Sequence, residues 1–227
     1  MKYTRSFLRA TLLLLGATPA LVSCAADHLV APARNGIAVN RSSGSGGGSG
    51  GGDDASDPNF LTANPAAPTI ANPLIAFWAK SGVDQSVRMV YHARPGHNDS
   101  TTFLVFRVRA KSLVSDANGA PLAPGDSVLI TLTLVDPVNL VVDFQPSGLR
   151  FSQSRPASLK MEYGDAVQDF NGDGVIDSTD VAISRTFRIW RRESLLDPWT
   201  PVPSTVDTEL NEVTADIPGF TGYALAF

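Results

Sequence analysis

The stretch Asp169-Phe-Asn-Gly-Asp-Gly-Val-Ile-Asp-Ser-Thr-Asp180 gathers more oxygen-bearing side chains than its surroundings in this 227-residue chain. Counted from Asp169, positions 1, 3, 5, 9 and 12 are Asp169, Asn171, Asp173, Asp177 and Asp180, with Gly174 at position 6 and Val175 at position 7. Such a set suits a hard cation. Calcium takes six to eight oxygen ligands in a flexible shell, and the pattern D-x-[DN]-x-[DN]-G is a calcium-loop spacing. Side chains two apart in a tightly curled loop converge, and glycine permits the sharp turn that a Cβ resists. The expectation is one calcium ion held by the side chains of Asp169, Asn171, Asp173 and Asp180, by the carbonyl of Val175, and by Asp177 directly or through water. Ile176 is expected to point away from the ion and pin the loop to a core. Without a cation, carboxylates so close would repel one another. A solvated acidic turn is the plainer alternative, but agreement at seven positions favours metal.

The elements that must hold this loop read as short strands. Residues 86–94 place Val87, Met89 and Tyr91 on one face. Residues 102–114 set Phe103, Val105 and Arg107 against Leu104, Phe106 and Val108, and residues 126–136 alternate similarly. Further strands are expected at 139–145, 157–163, 185–192, 211–217 and 222–227, separated by Gly-, Pro-, Asn- and Asp-rich punctuation. Residues 60–78, rich in Pro and Asn, read as an extended arm that lays Ile75, Phe77 and Trp78 on the domain. The segment after Asp180 is ambiguous in period; its β-branched and aromatic residues favour a strand after at most one helical turn. The fold class expected is all-β: an antiparallel β-sandwich over residues 60–227 with an inserted calcium-binding loop, preceded by a disordered tether.

The beginning of the chain is of another kind. Lys2, Arg5 and Arg9 precede a short apolar run, which marks residues 1–23 as an export signal too short to span a bilayer. It ends in Leu-Val-Ser-Cys24, which resembles the lipobox of bacterial lipoproteins. In that family the cysteine becomes the lipidated N-terminus, and Cys24 is the sole cysteine of the chain. Ala25 follows it, which by the same resemblance directs the protein to the outer membrane. Residues 24–59 form the tether, with only Ser and Gly over 42–52. A flexible coil of that length carries a domain roughly 30–36 Å from its anchor. Loss of residues 1–23 removes three basic residues and no acidic one, so the formal net charge moves from −4 to −7. That balance argues against a nucleic-acid partner.

Three stretches carry a further resemblance. "VDFQPSGLRFSQSRPASLKMEY" has the form of a strand, a PxGLxF turn and a PxxLxxxY strand; "WTPVPSTVDTELNEVTADIPGF" has that of a Trp-led hairpin; "GFTGYALAF" closes the chain. Over about residues 101–227 the chain resembles the ZU-type β-sandwich domain, the fold also found in ankyrins, netrin receptors and zonula occludens protein. Gly219 departs from the bacterial pattern, which often has His there, and the proline-rich start of the family domain is poorly matched. The resemblance implies a sandwich and an interaction role rather than chemistry. The acidic loop is similar to the loops of dockerin domains, which also use Asp at position 12. Dockerins carry two such loops, each followed by a cohesin-binding helix, and only one copy is present here.

The sequence holds no recognisable nucleophile–base or metal-protease arrangement, while its scattered Asp and Glu leave a glycosidase-type carboxylate pair open. No Ser lies in a G-x-S-x-G elbow, and "GSGGGSGGG" lacks the Lys-Ser/Thr and the strand–helix frame of a phosphate loop. His28 lies in the tether, while His92 and His97 flank a Pro-Gly turn and read as a surface loop. Trp78, Trp190 and Trp199 could stack on sugar but suit core or hairpin positions. The function expected is a non-enzymatic, lipid-anchored, calcium-binding interaction or adhesion module of the bacterial cell envelope, whose partner is an envelope or extracellular protein or a glycan. The alternatives are a carbohydrate-binding module and a dockerin-like accessory of polysaccharide-degrading machinery.

Overall fold

The computed structural model describes residues 58–97, 100–194 and 196–227. The export signal, Cys24 and all but the last two residues of the tether lie outside the described residues. Those two already belong to the folded body: Pro58 is buried, and Asn59 and Phe227 exchange both backbone hydrogen bonds at 3.1 Å.

Along the chain the elements are β1 (Leu74–Lys80), β2 (Gln85–Val90), β3 (Thr102–Val108), β4 (Ser127–Asp136), β5 (Val141–Gln145), β6 (Ala157–Glu162), α1 (Ser178–Ser184), β7 (Arg188–Arg192), β8 (Thr200–Pro201), β9 (Ser204–Asp207), β10 (Glu212–Ile217) and β11 (Gly222–Ala226). They form two antiparallel sheets, ordered β1-β4-β5-β11-β7-β8 and β2-β3-β6-β10-β9. The all-β sandwich expected from the alternation is what the chain forms. Period two turns every second side chain inward, so Ile130 and Leu132 of β4 and Leu104, Phe106 and Val108 of β3 are buried together in the interior.

Aromatic rings join the two sheets. Phe106 of β3 meets Phe144 of β5 edge-on at 5.3 Å between centroids and lies 5.6 Å from Phe220. Phe144 in turn meets Tyr223 of β11 at 5.3 Å. Edge-to-face contacts of this kind add to the area that each ring removes from water. The turn and strand positions of the PxGLxF and PxxLxxxY stretches, Leu149, Phe151, Leu159 and Tyr163, are all buried.

Two expectations are corrected. Residues 74–80 are a full strand paired with β4 from Leu74↔Thr133 to Lys80↔Ser127, not part of a loose arm. Ile75 and Phe77 pack on the core, but Trp78 lies on the opposite face of the strand and is 62 % exposed, because adjacent residues of a strand cannot share a face. The acidic loop itself runs into a helix: α1 begins at Ser178, inside the loop, continues for about one turn past Asp180, and the strand begins only at Arg188. Beta propensity loses there to a capping box and to Asp180, Ile183 and Ser184, which turn one helical face inward.

Candidate functional site

The acidic loop joins β6 to α1 and starts from a half-buried aromatic foot packed against the core. Phe170, at position 2, lies 4.8 Å from Phe187 and 6.4 Å from Tyr163 between centroids, both contacts edge-on. This ring anchors the loop. Ile176, expected to do so, is 69 % exposed, and Val175 beside it also faces solvent. The tip of the loop therefore projects outward. The signal for the anchor was the phenylalanine between two ligand positions, where a solvated turn has no use for an aromatic ring.

Hydrogen bonds from backbone N–H groups to Asp and Asn side chains curl the segment. Asp169 Oδ1 accepts from Gly172 N at 2.8 Å and Asp173 N at 3.1 Å, and its Oδ2 accepts from Gly174 N at 2.8 Å. Asn171 Oδ1 accepts from Asp173 N at 3.0 Å, and Asp173 Oδ1 accepts from Val175 N at 2.8 Å. Asn171 Nδ2 donates to Asp173 Oδ2 at 2.8 Å. Such turns, in which Asx side chains mimic a backbone turn, are what alternate Asp and Asn residues favour. Gly172 and Gly174 have φ of +73° and +87°, a region where a side chain is strained.

The second half of the loop is also the start of the helix. Asp177 is the N-cap of α1, its Oδ1 accepting from Thr179 N at 2.7 Å. Asp180 returns the capping box by accepting from Asp177 N at 2.9 Å through Oδ2. Its Oδ1 accepts from Phe170 N at 2.7 Å and Asn171 N at 3.3 Å. With 2 % exposure, Asp180 ties the first residues of the loop to the helix. The N–H groups of Asp177, Phe170 and Asn171 hold its carboxyl below the usual carboxylate range, against the opposing effect of burial.

The loop thus brings Asp169, Asn171 and Asp173 into one curl and sets Asp180 behind it. Among the described residues, however, no three His, Cys, Asp or Glu side chains converge as a metal-holding group. The carboxylates are occupied first by the loop's own N–H groups. They are not exhausted. A carboxylate offers about four lone-pair sites, and the bonds given above use three on Asp169, three on Asp180, two on Asp173 and one on Asp177. The donor set, all carboxylate, amide and carbonyl oxygen, fits a hard cation in kind. An open groove of about 610 Å³ runs beside the loop, between Asp169–Gly172 and residues 58–62.

The other residues singled out in the sequence are dispersed. His92 and His97 are exposed in the loop after β2. The three tryptophans do not share one exposed face. Trp199 is buried edge-on against Phe60 at 5.0 Å with the Arg192 guanidinium 4.6 Å above it, and half-buried Trp190 donates from Nε1 to Ala226 O at 3.2 Å. No protein-family model, no curated protein and no solved structure matches the chain.

Proposed function

We propose that the chain is an exported, lipid-anchored, calcium-binding β-sandwich that serves the bacterial cell envelope, at the outer membrane, as a non-enzymatic interaction or adhesion module. The observation that carries it is the loop Asp169–Asp180: calcium spacing in sequence, together with a curl in which Asp169, Asn171 and Asp173 close on one another above a half-buried aromatic foot. Asp169, Asn171, Asp173 and Asp180 would hold the ion by side chain, Val175 by its carbonyl, and Asp177 directly or through water. The ion supplies charge neutralisation and stiffness rather than reaction chemistry. The ZU-type and dockerin-like resemblances support an interaction role. The sandwich nevertheless draws two edge strands, β1 and β2, from before residue 101. Exposed Trp78 beside Leu129 on the outer face favours, as a second reading, a glycan as the partner.

Because the loop is already curled by its own hydrogen bonds, the ion adjusts a fold that exists without it. Extracellular calcium modules bind at about 10⁻⁴–10⁻³ M. At free calcium about tenfold above that constant, binding adds about 1.4 kcal/mol, which for a body of this size raises Tm by roughly 3–6 °C. Asp173→Ala is expected to abolish the shift and leave the sandwich folded. A shift that persists in Asp173→Ala would place the ion elsewhere.

The anchor has its own test. Cells fed a fatty-acid probe are expected to label the wild-type protein and not Cys24→Ser. Labelling of the variant, or none of the wild type, rejects the lipid at Cys24.

A further inference from the structure

Both sheets end, on one side of the sandwich, in a long strand: β1 for the first sheet and β2 for the second. An edge strand presents unpaired N–H and C=O groups and is a template for adding another strand. On the opposite side the edges are blunt, since β8 has two residues and β9 has four, and Pro201 and Pro203 have no N–H to offer. β1 has seven residues and β2 has six, and β1 carries Leu74 and Trp78, each 62 % exposed. Leu134 N donates to Pro73 O at 2.8 Å and Ser81 N to Asp126 O at 2.8 Å, so odd-numbered residues of β1 face β4. The backbone groups of Leu74, Ala76, Trp78 and Lys80 therefore point outward.

Two side-chain amides close these edges, each from the other sheet. Gln85, the first residue of β2, donates from Nε2 to Trp78 O at 3.0 Å and accepts at Oε1 from Lys80 N at 2.6 Å. Asn72, two residues before β1, does the reverse: Nδ2 donates to Arg88 O at 2.7 Å and Oδ1 accepts from Val90 N at 2.8 Å. In both cases a primary amide gives a C=O of residue i and an N–H of residue i+2 the same donor and acceptor that a neighbouring strand would give. Backbone bonds extend the cover: Val83 N donates to Lys80 O at 3.2 Å, and Ala71 N to Val90 O at 2.8 Å.

We propose that Asn72 and Gln85 form a reciprocal edge lock that keeps the chain from pairing with a second copy of itself through β1. The pairing held off is self-complementary. With Ala76 opposite Ala76 of the other copy, Leu74 falls opposite Trp78 twice on the outer face, where both are exposed and Leu129 flanks Trp78. Lys80 falls opposite the uncharged Asn72, so no like charges meet across the pair. That register needs Trp78 O as an acceptor, and this is the atom Gln85 occupies.

The test uses the full chain with Cys24→Ser throughout, so that no lipid contributes to association, followed by sedimentation velocity over a concentration series. Gln85→Ala is expected to tighten self-association by about tenfold, of the order of one edge hydrogen bond released for pairing, and Asn72→Ala/Gln85→Ala by more. Trp78→Lys added to Gln85→Ala is expected to restore the wild-type behaviour, because a charge on the outer face blunts the edge. Variants that are folded by circular dichroism yet no more associated than wild type overturn the proposal, as does association that Trp78→Lys leaves intact. If a variant does not fold, amide exchange in the Cys24→Ser chain decides. The Lys80 and Val90 amides are then expected to exchange about tenfold more slowly than that of Ala76, and equal rates reject the lock.

Discussion

Phe106→Ala is expected to destabilise the sandwich by about 3–5 kcal/mol, the usual cost of deleting a fully buried aromatic ring, and to lower Tm by roughly 10 °C or more. The ring is the meeting point of the two sheets. It contacts Phe144 at 5.3 Å, Phe220 at 5.6 Å, Phe151 at 6.2 Å and Phe77 at 6.3 Å, with no exposure of its own. No single neighbour can move into the space that four rings share, so the cavity persists and adds to the lost transfer energy. Phe106→Leu, which keeps most of the volume, is expected to lose a smaller part. Denaturant unfolding monitored by circular dichroism measures both. A loss below about 1 kcal/mol for the alanine variant would mean that the sheets do not meet at this residue.

Gly219→Ala is the second large loss expected, about 1–3 kcal/mol, in the range of overpacking a well-packed site. An added Cβ would stand 2.7 Å from the carbonyl oxygen of Leu149, a backbone atom that cannot rotate aside. That carbonyl is fixed by accepting from Phe220 N at 2.9 Å, and the Gly219 carbonyl accepts from Tyr223 Oη at 2.6 Å. The strain is therefore passed to the ring cluster and to β11 together. Gly164→Ala is the control: its nearest neighbour would lie at 3.9 Å and its backbone needs no positive φ, so little change is expected. Thermal melts of the two variants side by side separate close approach from the general effect of removing a glycine.

Much of this architecture was legible in the residues, for a physical reason. Strands with one buried face alternate, and the alternation at 104–108, 127–132 and 157–162 translates directly into burial. β1 was obscured because Leu74–Lys80 is apolar on both faces, including exposed Leu74 and Trp78, and follows a Pro- and Asn-rich stretch. β8 and β9 are too short, and too rich in flanking proline, to show a period. α1 was hidden by coincidence of roles: Asp177 and Asp180 are positions 9 and 12 of the calcium spacing and also the N-cap and N3 of a capping box. The spacing located the loop, but its anchoring turned on which apolar neighbour faces the core, Phe170 rather than Ile176. That choice is made by Tyr163 and Phe187, residues outside the loop. The amide contacts of Asn72 and Gln85 are likewise invisible without the fold, because each side chain serves the edge of the sheet it does not belong to.

The central claim, that the loop Asp169–Asp180 holds a calcium ion, is tested most directly by titrating calcium into the full, metal-stripped chain in a calorimeter. The expected result is one saturable site with a dissociation constant of about 10⁻⁴–10⁻³ M, lost in Asp173→Ala. No heat of binding, together with superimposable melting curves in calcium and in chelator, would contradict it and leave the loop an acidic turn satisfied by its own backbone N–H groups.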